Sequence, residues 1–175
     1  MNKYFYSMIF VFISANSYSS DVEIQINGKI LGQSCNVSSA DLIKNINFPD
    51  IDPSSFSQIG SYTPSQKFTI NLKNCTGSVS NLYYQFTGEA DENNNKLFKI
   101  TGGNNSNTGS LSSGLAIEVL DDTQNVIPVN SKVKFNTTIT SANYSLNFNV
   151  RYKSTTLDVI PGDASSILYL DMYYD

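Results

Sequence analysis

The chain has 175 residues, enough for one domain with a sizeable hydrophobic core, and only 15% of them carry charge. Asn, Ser and Thr fill the polar positions, Tyr and Phe are plentiful, and neither Trp nor His occurs, a balance that suits a β-rich, outward-facing protein. A net charge of -4 and a pI near 4.7 argue against nucleic acid or an anionic membrane surface as partner, since both require clustered Lys and Arg.

Residues 1–19 read as a secretory signal. Lys3 supplies a short positive region, Met8, Ile9, Phe10, Val11, Phe12 and Ile13 supply the apolar one, and Ser17-Tyr18-Ser19 offers a small-x-small cleavage pattern. That apolar run falls well below the roughly 20 residues of a membrane span. The mature chain would then begin at Ser20, with no lipid anchor, and be exported.

Directly behind it, Val22, Ile24, Ile26, Gly28 and Ile30 alternate with polar residues as a half-buried strand does. This strand has no hairpin neighbour in the sequence. Pattern alone leaves open whether it pairs within its own sheet or adds to the open edge of another molecule. Cys35 and Cys75 follow and are the only cysteines. In an exported chain an even pair normally closes a disulfide, and there is no CxxC, no His and no further cysteine to support redox or zinc chemistry.

Further period-2 runs come in chain order: Phe68, Ile70 and Leu72; Leu82, Tyr84 and Phe86; Leu115, Ile117 and Val119; Leu146, Phe148, Val150 and Tyr152; and Leu168, Leu170, Met172 and Tyr174. Gly, Asn and Pro clusters separate them. Pro49, Pro53 and Pro64 punctuate the stretch ahead of Phe68, and residues 91–95 and 101–114 are polar loops. No segment carries a sustained helical period. The fold class is therefore all-β, with the strand spacing of a sandwich.

Catalytic chemistry finds no support in the residues. The commonest general base, His, is missing. Asp121 and Asp122 are adjacent, so in a strand they would face opposite ways, and they read as a strand end at a turn. Asp91-x-Asn93-x-Asn95 mimics the start of a calcium loop, but Lys96 stands where Gly is required and Gly102 where Glu should be. No phosphate-binding glycine pattern follows a strand, and no metal or cofactor site is expected. Asn136-Thr137-Thr138 is the kind of sequon that an Asn- and Thr-rich chain produces by composition.

The ordered set of segments resembles the pilins of the chaperone–usher pathway, most of all the minor adaptor subunits of type 1 fimbriae. SDVEIQINGKILGQSCNVS at residues 20–38 is similar to the start of such a subunit, and FSQIGSYTPSQKFTINLKNC at residues 56–75 to the stretch leading to its second cysteine. YQFTGEADENNNKLFKI at residues 84–100 and GLAIEVLDDTQNVIPVN at residues 114–130 resemble its middle strands. YSLNFNVRYKS, then Val159-Ile160-Pro161-Gly162 and a last alternating strand with a penultimate Tyr174, resemble its end. The likeness covers essentially the whole mature chain.

The resemblance implies an incomplete immunoglobulin-like β-sandwich that lacks its last strand. It divides the chain into a signal peptide at residues 1–19, an N-terminal donor-strand extension at residues 20–31 and a pilin domain at residues 32–175. Val22, Ile24, Ile26, Gly28 and Ile30 would be the side chains that this arm inserts into a neighbouring subunit. Leu168, Leu170, Met172 and Tyr174 would form the C-terminal strand that flanks the groove and meets the chaperone. Cys35–Cys75 would be the bridge tying the first strand to the second. The implied partners are neighbouring pilin subunits, a periplasmic chaperone and an outer-membrane usher, and the implied location is a fimbria on the cell surface. A major rod pilin, or a pilin-like subunit that itself binds a host receptor through residues 101–114, is the alternative role. A secreted hydrolase is the remaining one.

Overall fold

Alternation decides this fold. In Leu82–Thr87 the apolar residues Leu82, Tyr84 and Phe86 fall on one face and are buried, while Tyr83, Gln85 and Thr87 look outward. The same rule holds along Tyr144–Ser154, where Leu146, Phe148, Val150 and Tyr152 point into the core. A computed structural model of the protein describes residues 32–102 and 110–174. The expected signal segment and donor arm, with Val22, Ile24, Ile26, Gly28 and Ile30, lie outside the described residues.

The described strands are β1 (Ser34–Val37), β2 (Gln66–Thr76), β3 (Leu82–Thr87), β4 (Phe98–Lys99), β5 (Leu115–Asp121), β6 (Val133–Lys134), β7 (Tyr144–Ser154) and β8 (Tyr169–Tyr174). They form a five-stranded sheet in the order β1-β2-β7-β5-β4 and a three-stranded sheet in the order β6-β3-β8. The pairings within both sheets are antiparallel. The expected all-β sandwich is the one observed. Sequence pattern underplays two short strands: β4 and β6 have two residues each, too few to display a period.

The sheets meet through an aromatic cluster. Phe148 packs against Phe68, Tyr84 and Phe86 with ring centroids 5.1–5.5 Å apart, largely edge to face. Leu72, Leu82 and Phe98 are fully buried. Burial raises the Tyr84 hydroxyl to about 12, with Asp121 and Asp122 adding to the effect, so this ring stays neutral inside the core.

On the outer face of the large sheet, Glu118 of β5 is buried, as are Ala116, Ile117, Val119 and Leu120 on either side of it. The cross-strand register places it opposite Arg151, and both Arg151 (2.6 Å) and Lys153 (2.7 Å) reach its two oxygens. The Arg151 guanidinium also lies 3.8 Å from the centre of the Tyr62 ring. Two cations on one strand thus clamp a carboxylate on the next, which compensates its desolvation.

Cys35 and Cys75 form a disulfide, joining β1 to β2 across 40 residues of sequence. On the chain-entropy account a loop of that length stabilises the fold by about 4 kcal/mol. The double variant Cys35→Ser, Cys75→Ser is expected to lose on the order of 2–5 kcal/mol of unfolding free energy. Urea unfolding of the variant against the oxidised wild type measures the loss, and coincident curves would contradict it.

Candidate functional site: a groove between the sheets

β8 lies at the end of its sheet and, among the described residues, pairs along one edge only, with β3. Alongside its other edge runs a groove of about 870 Å³. Both sheets line it: Phe68 and Ile70 from β2, Ile117 and Val119 from β5, Val150 and Tyr152 from β7, Phe86 from β3, and Leu170 and Met172 from β8. Residues 41–56 supply the facing wall, through Ile46, Phe48, Ile51 and Phe56, and residues 159–168 close one end.

Why the core opens here follows from burial. β8 keeps its alternation, with Leu170, Met172 and Tyr174 turned inward and Tyr169, Asp171 and Tyr173 outward. Yet those inward side chains are only half-buried, whereas the matching positions of β3 are buried. Phe68 is likewise half-buried although Ile70 and Leu72 beside it are buried. Apolar side chains that face a core and still meet solvent mark a seam that two sheets alone do not cover.

Three of the four side chains expected on the C-terminal strand line this groove: Leu168, Leu170 and Met172. Leu168 immediately precedes β8 rather than belonging to it. Tyr174 has a different place. Its hydroxyl donates to the Cys35 carbonyl at 3.1 Å, tying the end of β8 to β1 of the other sheet, and burial pushes its acidity down. The pair thus joins the last strand to the disulfide-bearing one.

The wall at residues 41–56 is what pattern reading passed over. Its prolines and polar residues suggest punctuation; a 3-10 turn at Ser39–Asp41 leads into it, a second lies at Pro53–Ser55, and it has no strand. Nevertheless Ile46, Phe48 and Ile51 pack on the core, and the Phe48 ring sits 4.5 Å from that of Tyr152. The spacing of Ile46 and Phe48 was the only signal available. Asp41 pins this wall to β2. Its carboxylate accepts from Lys44 Nζ at 2.5 Å and from both the backbone N–H and the side-chain amide of Asn71 at 2.8 Å. The Lys44 hydrogen bond first, then those from Asn71, hold its carboxyl down at about 2.

At the other end, backbone bonds knit residues 110–113 to residues 160–163. Leu111 bridges Asp163 and Ser113 bridges Ile160. Gly162 is needed for that approach, because a Cβ there would stand 2.4 Å from the Ser110 carbonyl and 2.5 Å from the Ser112 nitrogen. Gly114 is fixed for two reasons, a φ of +79° and a Cβ position 2.3 Å from Thr156 Oγ1.

The remaining candidates resolve as local structure. Asp121 ends β5 and accepts hydrogen bonds from Thr123 and Asn125, so the acidic pair closes a turn. Asp91 accepts from the backbone of Asn93 and Asn94, which makes the calcium-loop mimic an Asx turn. Among the described residues no group of three or more His, Cys, Asp or Glu is placed to hold a metal. Part of the loop considered for receptor contact, residues 103–109, lies outside the described residues.

Because the folded-state value of Asp41 lies below the ordinary 3.8, its contribution to stability is present above about pH 4 and is lost as pH falls toward 2. Wild type should therefore be more resistant to urea than Asp41→Asn at pH 5, with the difference closing between about pH 4 and 2. A difference that stayed constant across that window would contradict the assignment.

A family model described as "Fimbrial protein" matches residues 24–175. The chain is 29% identical over 154 residues to the fimbrial-like protein YcbU of Escherichia coli K12, covering 87% of this chain and 84% of the relative. It is 27% identical over 154 residues to the fimbrial subunit type 1 of Salmonella typhimurium, covering 87% of this chain and 82% of that protein. In fold it is similar to a chain from the structure of a chaperone–usher pilus, with a TM-score of 0.63, 20% identity, and coverage of 93% of this chain and all of the other.

Proposed function

The chain belongs to the fimbrial protein family, and from that premise we propose that it is a structural subunit that polymerises by exchanging strands through the groove beside β8. The observation that carries this reading is a half-buried, inward-facing apolar row, Leu168, Leu170 and Met172, along and just ahead of a strand that pairs on one edge only among the described residues. A strand added to that edge would satisfy β8's outward backbone groups and cover the seam with its alternate side chains.

Residues 20–31 have the matching character. Val22, Ile24, Ile26 and Ile30 would each contribute roughly 1.5–3 kcal/mol on burial in a neighbour's groove. Gly28 would let the two backbones approach closely. Neighbouring subunits are thus the partners at both ends of the molecule, through the groove and through the arm. A periplasmic chaperone that lends a strand before assembly, and an outer-membrane usher that releases it, follow from the chaperone–usher pathway. So do removal of residues 1–19 on export and a final place in a surface fimbria. The role is structural and supports adhesion of the cell; it is not enzymatic.

Within the fibre, an adaptor position near the tip follows from the likeness of the arm and middle strands to adaptor subunits. The rod position has its own support in the similarity to the Salmonella fimbrial subunit type 1. Immunogold labelling separates them: gold confined to fibre ends supports the adaptor, and gold along the shaft the rod subunit.

Exchange itself is tested from both sides of the joint. Ile26→Asp in the arm and Met172→Asp in the groove each place a carboxylate where an apolar group would be buried, at a cost of several kcal/mol. With either variant as the only copy, its amount in sheared fimbriae should fall by at least about tenfold, while the Ile26→Asp protein keeps its disulfide and its periplasmic level. Normal incorporation of Ile26→Asp would refute the arm, and normal incorporation of Met172→Asp would refute the groove.

A further inference from the structure

Large apolar side chains stay exposed at the end of the groove built from residues 110–114 and 155–163. Leu157, Ile160 and Tyr169 are 68%, 58% and 66% exposed, and Leu111 is 43% exposed. A single exposed aliphatic is ordinary on a protein surface, whereas several at one place mark a contact. These stand on one backbone framework. Leu111 bridges Asp163, Ser113 bridges Ile160, and the N–H groups of Thr155 and Thr156 both donate to the Gly114 carbonyl. Ile160 and Tyr169 line the same groove. The result is an apolar platform fixed by main-chain bonds beside the groove mouth.

Chain geometry says what reaches this platform. β8 runs from Tyr169 at this end to Tyr174 at the other, where the Tyr174 hydroxyl meets the Cys35 carbonyl at 3.1 Å. The described chain starts at Gly32, two residues ahead of β1, so whatever precedes it joins the domain at the disulfide end. The pairings within both sheets are antiparallel, and a strand that extends β8's sheet in the same sense puts its C-terminal end beside Tyr169. Ile30 and Ser34 are four residues apart, so no more than about 14 Å can separate them. An arm seated as far as Ile30 therefore brings the incoming domain onto the platform, disulfide end first. That end presents Gly32, Gln33, Thr76, Gly77 and Ser78, exposed and uncharged, with Gly77 close to Gln33. Apolar side chains can be covered by these residues without stripping water from an ion.

We propose that Leu111, Leu157, Ile160 and Tyr169 form a second interface between subunits, on which the disulfide end of an incoming copy of this chain seats once its arm lies in the groove. This rests on the strand-exchange reading and goes beyond it, because the contact is made by the folded domain rather than by the arm. The two ends of the molecule differ, so the contact is head to tail and repeats along an open fibre. It holds successive domains against each other, and it slows departure of a subunit that the arm alone would release sooner.

The test has two parts. In sheared fimbriae, photoreactive benzoylphenylalanine placed at Tyr169 or at Ile160 is irradiated, and crosslinks are expected to residues 32–34 and 76–78 of a second copy. In solution, an Ile26→Asp chain, whose own arm is disabled, serves as acceptor. Its donors are a synthetic peptide of residues 20–31 and a whole mature chain whose own groove carries Met172→Asp. The whole chain is expected to dissociate at least about tenfold more slowly than the peptide. Adding Leu111→Ser and Leu157→Ser to the acceptor should abolish that difference, while peptide affinity changes by less than about threefold. Crosslinks to the chaperone alone or to another face of the copy, or a dissociation difference that survives both substitutions, would overturn the platform and leave strand exchange standing. Failure of the peptide to bind the acceptor would overturn the exchange reading and this inference with it.

Discussion

A sandwich must cover its core on every side, and in this chain one seam is covered by neither sheet. The three-stranded sheet ends at β8 while the large sheet continues beneath it, so Phe68, Leu170 and Met172 face inward yet remain half in solvent. Every other structural device works around that constraint. The disulfide and the Tyr174–Cys35 bond tie β8 and β2 to β1. Asp41 fixes the opposite wall to β2, and Gly162 lets the far end close tightly. The groove is thus held open between fixed walls rather than left as a loose edge.

Holding the seam rigid has a functional consequence. Exposed apolar surface and a free strand edge invite association, and without control they lead to aggregation. A groove lined by apolar side chains of both sheets admits a strand of alternating pattern better than others. Under the proposed strand exchange, that arrangement would turn a folding deficit into the joint between subunits.

Much of this was legible in the sequence, because strands that bury one face must alternate. β2, β3, β5, β7 and β8 are each announced by their period-2 runs, and the expected export signal, with an even pair of cysteines, points to the Cys35–Cys75 bridge. The illegible parts have physical reasons. β4 and β6 are too short to carry a period. The wall at residues 41–56 takes its shape from 3-10 turns and packing, with Ile46 and Phe48 half-buried by contact rather than by register. Glu118 reads as a solvent-facing residue until Arg151 and Lys153 on the neighbouring strand are seen to converge on it. Tyr174, grouped by its alternation with Leu170 and Met172, turns out to bond β1 instead of lining the groove.

The central claim is that the edge of β8 turned away from β3 is a pairing edge. Amide hydrogen exchange along Tyr169–Tyr174, with and without a saturating peptide of residues 20–31, addresses it directly. In an antiparallel pair alternate amides point to opposite edges, so those of β8 turned away from β3 have no ladder partner in that sheet. The account predicts that these alternate amides slow by at least about a hundredfold on peptide binding, while those bonded to β3 change little. Binding of the peptide with no change at the outward amides of β8 would contradict it.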